Sequence, residues 1–287
     1  MAMLRELEVG LMFWGDHEPL KMIRAVKSLG LRCGHLGFTG AVNFDGLGEV
    51  YKKALADEDF TVTAVFAAYD GESYADVPTV QQTVGFIPPA TREAREKRTY
   101  EVIEMTAAIG VPIFACHIGF VPEDHTDPVY APVRDMVRRI CDYCAAKNIM
   151  FALETGQEPA ESLLHFLEDV ARPNLKINFD PANLILYGTS EPIAALKLVG
   201  KHVVSCHAKD GNWPTAPGTL GTEMPLGEGS VGMASFVNTL KEIGYKGALT
   251  IEREVSLDQD IDDRHQAKLS HVDDIMKAIG LLESLRG

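Results

Sequence analysis

The sequence has no long uncharged hydrophobic run, no basic cluster and no low-complexity segment. Without roughly 20 consecutive apolar residues, nothing reads as a membrane span. Lys and Arg number 27 against 41 Asp and Glu, a formal net charge of −14. The basic footprint of a nucleic-acid partner is therefore missing. Residues 1–8, Met-Ala-Met-Leu-Arg-Glu-Leu-Glu, lack the basic-then-apolar order of a secretory signal. The five cysteines are an odd count without disulfide-scaffold spacing. Cys33, Cys116 and Cys206 fall in strand patterns and read as small hydrophobes. Cys141 and Cys144 share a helical pattern outside the context of a redox motif, so core packing is expected there too. A reducing cytoplasm is the expected location.

What the chain does have is strand-like and helix-like segments in alternation, the mark of a parallel sheet. Strands are expected at residues 8–13, 33–38, 61–67, 112–117, 149–154, 175–180, 202–207 and 248–252. Helices are expected near 19–29, 47–56, 92–109, 159–170, 192–199 and 233–243. Val133, Met136, Val137, Ile140 and Cys144 give helical spacing to another, and Leu269, Val272, Met276 and Ile279 to the last. Eight strand–helix units in 287 residues fit a single (β/α)8 TIM barrel, which typically takes roughly 250 residues. The expected fold class is α/β, with residues 1–287 forming one barrel domain. Two segments, 69–89 and 209–229, are long and rich in Gly and Pro. Both follow expected strands, so they should rise over the catalytic face as lid loops.

Four strands end in a residue that can ligate a metal, and the approach to each is the same. They read Phe151-Ala152-Leu153-Glu154, Ile177-Asn178-Phe179-Asp180, Val204-Ser205-Cys206-His207 and Leu249-Thr250-Ile251-Glu252. The residue before each ligand is apolar, and the one before that is small or polar. Strand side chains alternate faces, so each ligand shares a face with its small neighbour. In a barrel that inner face opens at the strand tips onto the active site, while the apolar face lies under helices. Each ligand alone also fits a turn or a helix cap. Together, three inward carboxylates without a cation would repel and be poorly solvated. A divalent-metal site at Glu154, Asp180, His207 and Glu252 is the expectation. Oxygen-rich ligation with one nitrogen suits Mn²⁺ or Mg²⁺, with Zn²⁺ or Co²⁺ as alternatives.

Other strand-end residues are candidate substrate contacts. His117 ends the fourth strand with the same alternation, and its alternative reading is a structural histidine. His35 is expected at the equivalent place on the second strand. Lys209 fits an oxyanion contact or a salt bridge with Asp210. Trp14 fits a sugar-stacking surface or a plug for the barrel top. Glu254 shares the face of Glu252 and is the alternative ligand under a shifted register. Gly227-Glu228-Gly229 fits a turn before the next helix, or a set of N–H donors for a hydroxyl or phosphate.

In residues 152–155, 178–183, 207–210, 225–229 and 250–252 the chain resembles the xylose isomerase-like TIM-barrel superfamily. This group holds sugar-phosphate isomerases and epimerases, with AP endonucleases (AP endonuclease family 2) as relatives, and the resemblance spans essentially the whole chain. It implies that Glu154, Asp180, His207 and Glu252 match the metal ligands of ketose epimerases and inosose isomerases. There the two glutamates flank the sugar and move protons, and the metal is usually Mn, Mg, Co or Zn. Asn183 stands where many epimerases and the AP endonucleases carry a histidine. With Glu228 it joins the expected substrate contacts. The implied activity is a metal-dependent isomerisation or epimerisation of a ketose, keto-inositol or related sugar through an enediolate, with Glu154 and Glu252 catalytic. The alternative is a lyase or dehydratase on a keto-sugar or keto-inositol. AP endonuclease and a non-catalytic sugar-binding barrel are less favoured. The expected partner is a small carbohydrate, with no nucleic acid and no membrane, and family analogy adds a homo-oligomer.

Overall fold

The computed structural model describes residues 4–253 and 267–287. Along the chain run β1 (Val9–Trp14), α1 (Pro19–Lys27), β2 (Cys33–Phe38), α2 (Leu47–Asp57), β3 (Thr61–Ala67), α3 (Val77–Thr83) and α4 (Arg92–Ala108). Next come β4 (Ile113–Cys116), α5 (Tyr130–Ala145), β5 (Met150–Glu154), α6 (Ala160–Val170), β6 (Leu175–Phe179), α7 (Pro181–Leu186) and α8 (Pro192–Val199). The chain continues through β7 (Val203–Ala208), β8 (Asp210–Asn212), β9 (Thr222–Met224), α9 (Met233–Glu242), β10 (Leu249–Ile251) and α10 (Ala267–Arg286). Eight strands close a barrel in the order β1-β10-β7-β6-β5-β4-β3-β2. Every neighbouring pair is parallel. The chain is a (β/α)8 barrel.

Two apolar layers fix the register. Leu153, Phe179, Cys206 and Ile251 lie in the outer layer, between strands and helices. Met12, Ala64, Phe66, Ile113, Ala115 and Ala152 fill the barrel interior. Burying one large apolar side chain is worth about 1.5–3 kcal/mol. A one-residue slip of β5 would put Leu153 in the barrel mouth and Glu154 under the helices, so the apolar partner of each ligand locks that ligand inward. The stripe Val133, Met136, Val137, Ile140 and Cys144 is fully buried on α5, and all five cysteines are buried and free.

The helix α10 departs from expectation. Its buried face is Ile275, Ala278 and Leu282, while Val272 and Met276 are exposed. Of the expected stripe, Ile279 does pack against the core. Val272 and Met276 do not, because small Ala278 takes the inward place. The side chain of Leu269 lies outside those described. The two long segments are also less irregular than expected. Residues 69–89 contain α3, capped by Asp76, whose carboxylate accepts from Thr79 N. Residues 209–229 contain the antiparallel β8–β9 hairpin. Glu254 lies outside the described residues. Among those described, no helix is long and apolar enough to cross a membrane.

At the N-terminal end of the barrel a charge cluster adds to the apolar packing. Glu8 is 5% exposed and pairs with Arg5 at 3.0 Å and Arg32 at 2.8 Å, with Arg286 at 3.9 Å. Hydrogen bonding from Arg5, reinforced by Arg32, holds its carboxyl far below the usual range. The cluster ties β1 and β2 to the last turn of α10.

Candidate metal centre

The strands β5, β6, β7 and β10 are consecutive in the barrel, so their C-terminal tips adjoin. Glu154 ends β5, Asp180 follows β6, His207 lies near the end of β7 and Glu252 follows β10. One ligand atom from each falls within 4.8 Å of all the others. His207 Nδ1 is at the centre, 2.9 Å from Glu154 Oε1, 3.2 Å from Glu252 Oε2 and 3.6 Å from Asp180 Oδ2.

Local sequence fixes each of these side chains. Asp180 is the N-cap of α7, and Pro181 occupies the first helical position, where a missing N–H costs nothing. Its Oδ1 accepts from Ala182 N at 2.8 Å and Asn183 N at 3.0 Å. That leaves Oδ2 turned into the cluster, buried and without a hydrogen-bond partner. Thr155 Oγ1 donates to Asp180 O and accepts from Asp180 N, which tacks the two strand tips together. Gly156 is required here. Its φ is +136°, and a Cβ on it would sit 2.3 Å from Asn183 Cβ.

His207 is fully buried, its ring stacked on Phe66 with centroids 4.9 Å apart. Its Nε2 lies 3.1 Å from His35 Nδ1. Burial, and then the nearby His207, hold His35 far below the usual imidazole range, so it is neutral. A neutral His35 accepting at Nδ1 makes His207 Nε2 the protonated nitrogen and leaves Nδ1 to face the carboxylates. Burial by itself would lower the His207 pKa, yet Glu252, Glu154 and Asp180 together raise it well above the ordinary value. Burial raises Asp180 to about 6, against the pull of Lys209. Burial works upward on Glu252 as well, but His207 and Lys209 outweigh it and hold that carboxyl well below its usual range.

Charge arithmetic shows what the site accommodates. Three carboxylates meet one ammonium, Lys209, whose Nζ is 3.2 Å from Glu252 Oε2 and 3.9 Å from Asp180 Oδ2. A cation bound at Nδ1 would displace the His207 proton, and the two negative charges then left in this buried place are what a divalent ion would cancel. The unpartnered Asp180 Oδ2 and the hard-oxygen donor set with one nitrogen fit such an ion.

The structure sorts the other expected contacts. His117 follows β4, and its Nε2 is 3.3 Å from Glu154 Oε2. Asn183 bridges the site, offering Nδ2 to Glu154 Oε1 at 3.4 Å and accepting from Lys209 Nζ at 3.2 Å. Trp14 stands at the tip of β1, 37% exposed, over Gly37, where a Cβ would come within 2.6 Å of its ring. His35 is not at a strand tip. Strand β2 runs on to Phe38, so His35 lies level with interior Met12 and Gly37 takes the tip. The Lys209–Asp210 ion pair is replaced by Lys209–Glu252, because Asp210 turns away into the following loop. Glu228 is exposed in a turn. The neighbouring Gly227 and Gly229 N–H groups donate to Asp210 Oδ2 at 2.9 and 3.1 Å, so they are not free for a ligand.

Sequence reasoning missed the layer beneath. Ser205 Oγ donates to Asn178 Oδ1 at 2.6 Å, and Asn178 Nδ2 lies 3.3 Å from His207 Nδ1. Both were noted as polar neighbours of ligands, and buried polar residues in adjacent strands had to find each other. Tyr74, from the segment before α3, sets its ring 5.9 Å from that of His117.

A parallel eight-stranded barrel with carboxylates and an imidazole at its C-terminal rim defines a TIM-barrel protein with a candidate metal centre. The family model for xylose isomerase-like TIM barrels matches residues 23–275, and the chain belongs to that family. It is similar to the crystal structure of a xylose isomerase domain protein from Planctomyces limnophilus, with 34% identity and a TM-score of 0.83, covering 98% of this chain and 97% of that one. It shares its fold with a D-allulose 3-epimerase from Methylomonas sp. in complex with D-allulose, at 19% identity and TM-score 0.63, over 88% of this chain and 85% of the other. An uncharacterized protein of Methanocaldococcus jannaschii is 28% identical over 185 residues, 58% of this chain and 60% of its own length.

Proposed function

We propose that the protein is a divalent-metal-dependent isomerase or epimerase of a ketose, keto-inositol or related sugar. The observation that carries this reading is the placing of the two glutamates. In the strand order β10-β7-β6-β5 they come from the outer two strands and flank the other two ligands. A cation held by Glu154, Asp180, His207 and Glu252 would supply Lewis-acid stabilisation of charge on a substrate carbonyl oxygen. The chain supplies the proton transfers. A sugar lying across the site meets one carboxylate from each side. One takes the proton from the carbon beside the carbonyl, and the other returns a proton to the opposite face or to the neighbouring carbon.

Each glutamate has its own partner. Lys209 faces Glu252 and favours its ionised form, as a base needs. His117 faces Glu154 Oε2 and sits where a substrate hydroxyl would arrive. Trp14 and Tyr74, both partly exposed, offer ring faces to a sugar's C–H surface. The similarity to a fold that holds D-allulose in another protein supports a carbohydrate as the ligand class. The test is an NMR screen of ketoses, inososes and 3-keto-sugars with Mn²⁺ added. Epimerised or isomerised product supports the reading. Loss of water from a keto-sugar, with no epimer formed, would replace it with a dehydratase that begins from the same proton abstraction.

A further inference from the structure

The described residues leave a cavity of about 220 Å³ between the β4–α5 loop and the start of α6, lined by none of the four candidate metal ligands. Glu158 lines it and is only 5% exposed. Among the described residues, its carboxyl has no hydrogen-bonding partner except its own backbone N–H. Every other acid this deeply buried among the described residues meets a donor or a cation: Glu8 has Arg5 and Arg32, Glu154 has His207, Asp210 has four backbone N–H groups and Asp180 has Lys209. No Lys or Arg lines this cavity, while Glu123 and Glu161 add two more carboxyls at its rim. Val121, Tyr130 and Phe166 supply apolar wall.

A largely buried acid that opens on a cavity, with no cation or side-chain donor beside it, offers a place for a cationic guest. At about 220 Å³ the cavity is too roomy for a bare ion. We propose that this cavity binds a small organic cation whose amidinium, guanidinium or ammonium head pairs with Glu158 while its carbon part lies against Tyr130 and Phe166. A planar N–H fork matches a carboxylate two-fold, and an aromatic wall favours a cation. None of the four candidate metal ligands lines this cavity, and the proposal does not depend on the proposed reaction.

Binding at this site has a pH signature. Burial raises Glu158 to about 8, so at neutral pH it is mostly protonated and must ionise to pair with a cation. A permanently charged ligand should therefore bind about tenfold more tightly at about pH 9 than at about pH 7. The other titratable groups facing the cavity are Glu123 and His125 from the β4–α5 loop, Tyr130 from α5, and Glu161 and His165 from α6. Only a Glu158 variant separates its titration from theirs.

The experiment titrates benzamidine into the metal-loaded protein by NMR and calorimetry, beside benzamide, its neutral counterpart. Benzamidine should bind one to one, with benzamide at least about tenfold weaker, the cost of a lost charge-assisted bond. Glu158→Gln should weaken benzamidine at least about tenfold and flatten the pH dependence. Unchanged Mn²⁺ binding in Glu158→Gln shows that the fold and the metal centre are intact. Equal binding of benzamidine and benzamide, or full benzamidine affinity in Glu158→Gln, overturns the proposal. So does a second Mn²⁺ or Zn²⁺ equivalent that is lost in Glu158→Gln while benzamidine fails to bind.

Discussion

At the scale of single residues the account makes its sharpest demands on the carboxylates. Glu154→Gln and Glu252→Gln keep side-chain volume but remove a base, and general acid–base catalysis is worth about 10²–10⁴-fold. Turnover on the active sugar should fall by at least that factor in each variant, measured with saturating metal. Asp180 does two jobs that can be separated. Asp180→Asn can keep the oxygen that caps α7 while losing the charge aimed at the cation. It should lose metal affinity in a calorimetric titration yet melt close to the parent. Asp180→Ala loses the cap as well and should be a further 0.5–2 kcal/mol or so less stable. A similar loss of stability for both variants would separate Asp180 from the capping role given to it by Ala182 N and Asn183 N.

At the scale of elements, the loop from β7 to α9 hangs on one side chain. Asp210 is 1% exposed and accepts from the backbone N–H of Gly211, Gly227, Gly229 and Val231. Each buried donor left unpaired costs about 1–3 kcal/mol. Asp210→Ala should therefore speed proteolytic cleavage within residues 211–230 and lower turnover, with Mn²⁺ affinity kept, because no ligand of the metal centre lies in that loop. The sequence shows why Asp210 was overlooked. Its neighbour Lys209 offers an easy salt bridge on paper, while the true donors lie up to 21 residues away. Strand tips were legible because period-two alternation puts Ala152, Asn178, Ser205 and Thr250 on the ligands' face with no further information. The depth of His35 was not. The bounds of β2 were legible, but its register against β1, which sets His35 level with interior Met12, depends on the neighbouring strand. Short α3 and α7 were hidden for a related reason. Each opens with Asp and an early Pro, a capping signal that reads equally as a turn.

At the scale of the whole molecule, the two ends of the barrel carry different chemistry. The N-terminal end is held by Glu8 among arginines, and this contribution has a defined pH window. Its folded pKa is depressed, so its stabilisation is present above the unfolded carboxyl value of about 4.3 and is lost as pH falls below it. Glu8→Gln should melt below the parent near pH 7, and the gap should start to narrow only as pH falls below about 4.3, continuing to close toward the folded value. A constant gap across that range would mean that packing, not charge, is what Glu8 provides. The −14 net charge predicts no binding to duplex DNA at physiological salt in a gel-shift assay. The C-terminal end carries the central claim, that this barrel moves a proton at the carbon beside a carbonyl under control of a bound cation. The most direct measurement is deuterium uptake from D₂O into the sugar, followed by NMR with and without Mn²⁺. The account predicts deuterium at the carbon next to the carbonyl, lost when metal is removed by a chelator and lost in both Glu154→Gln and Glu252→Gln. Uptake at an equal rate without metal, or in the double glutamine variant, would contradict it.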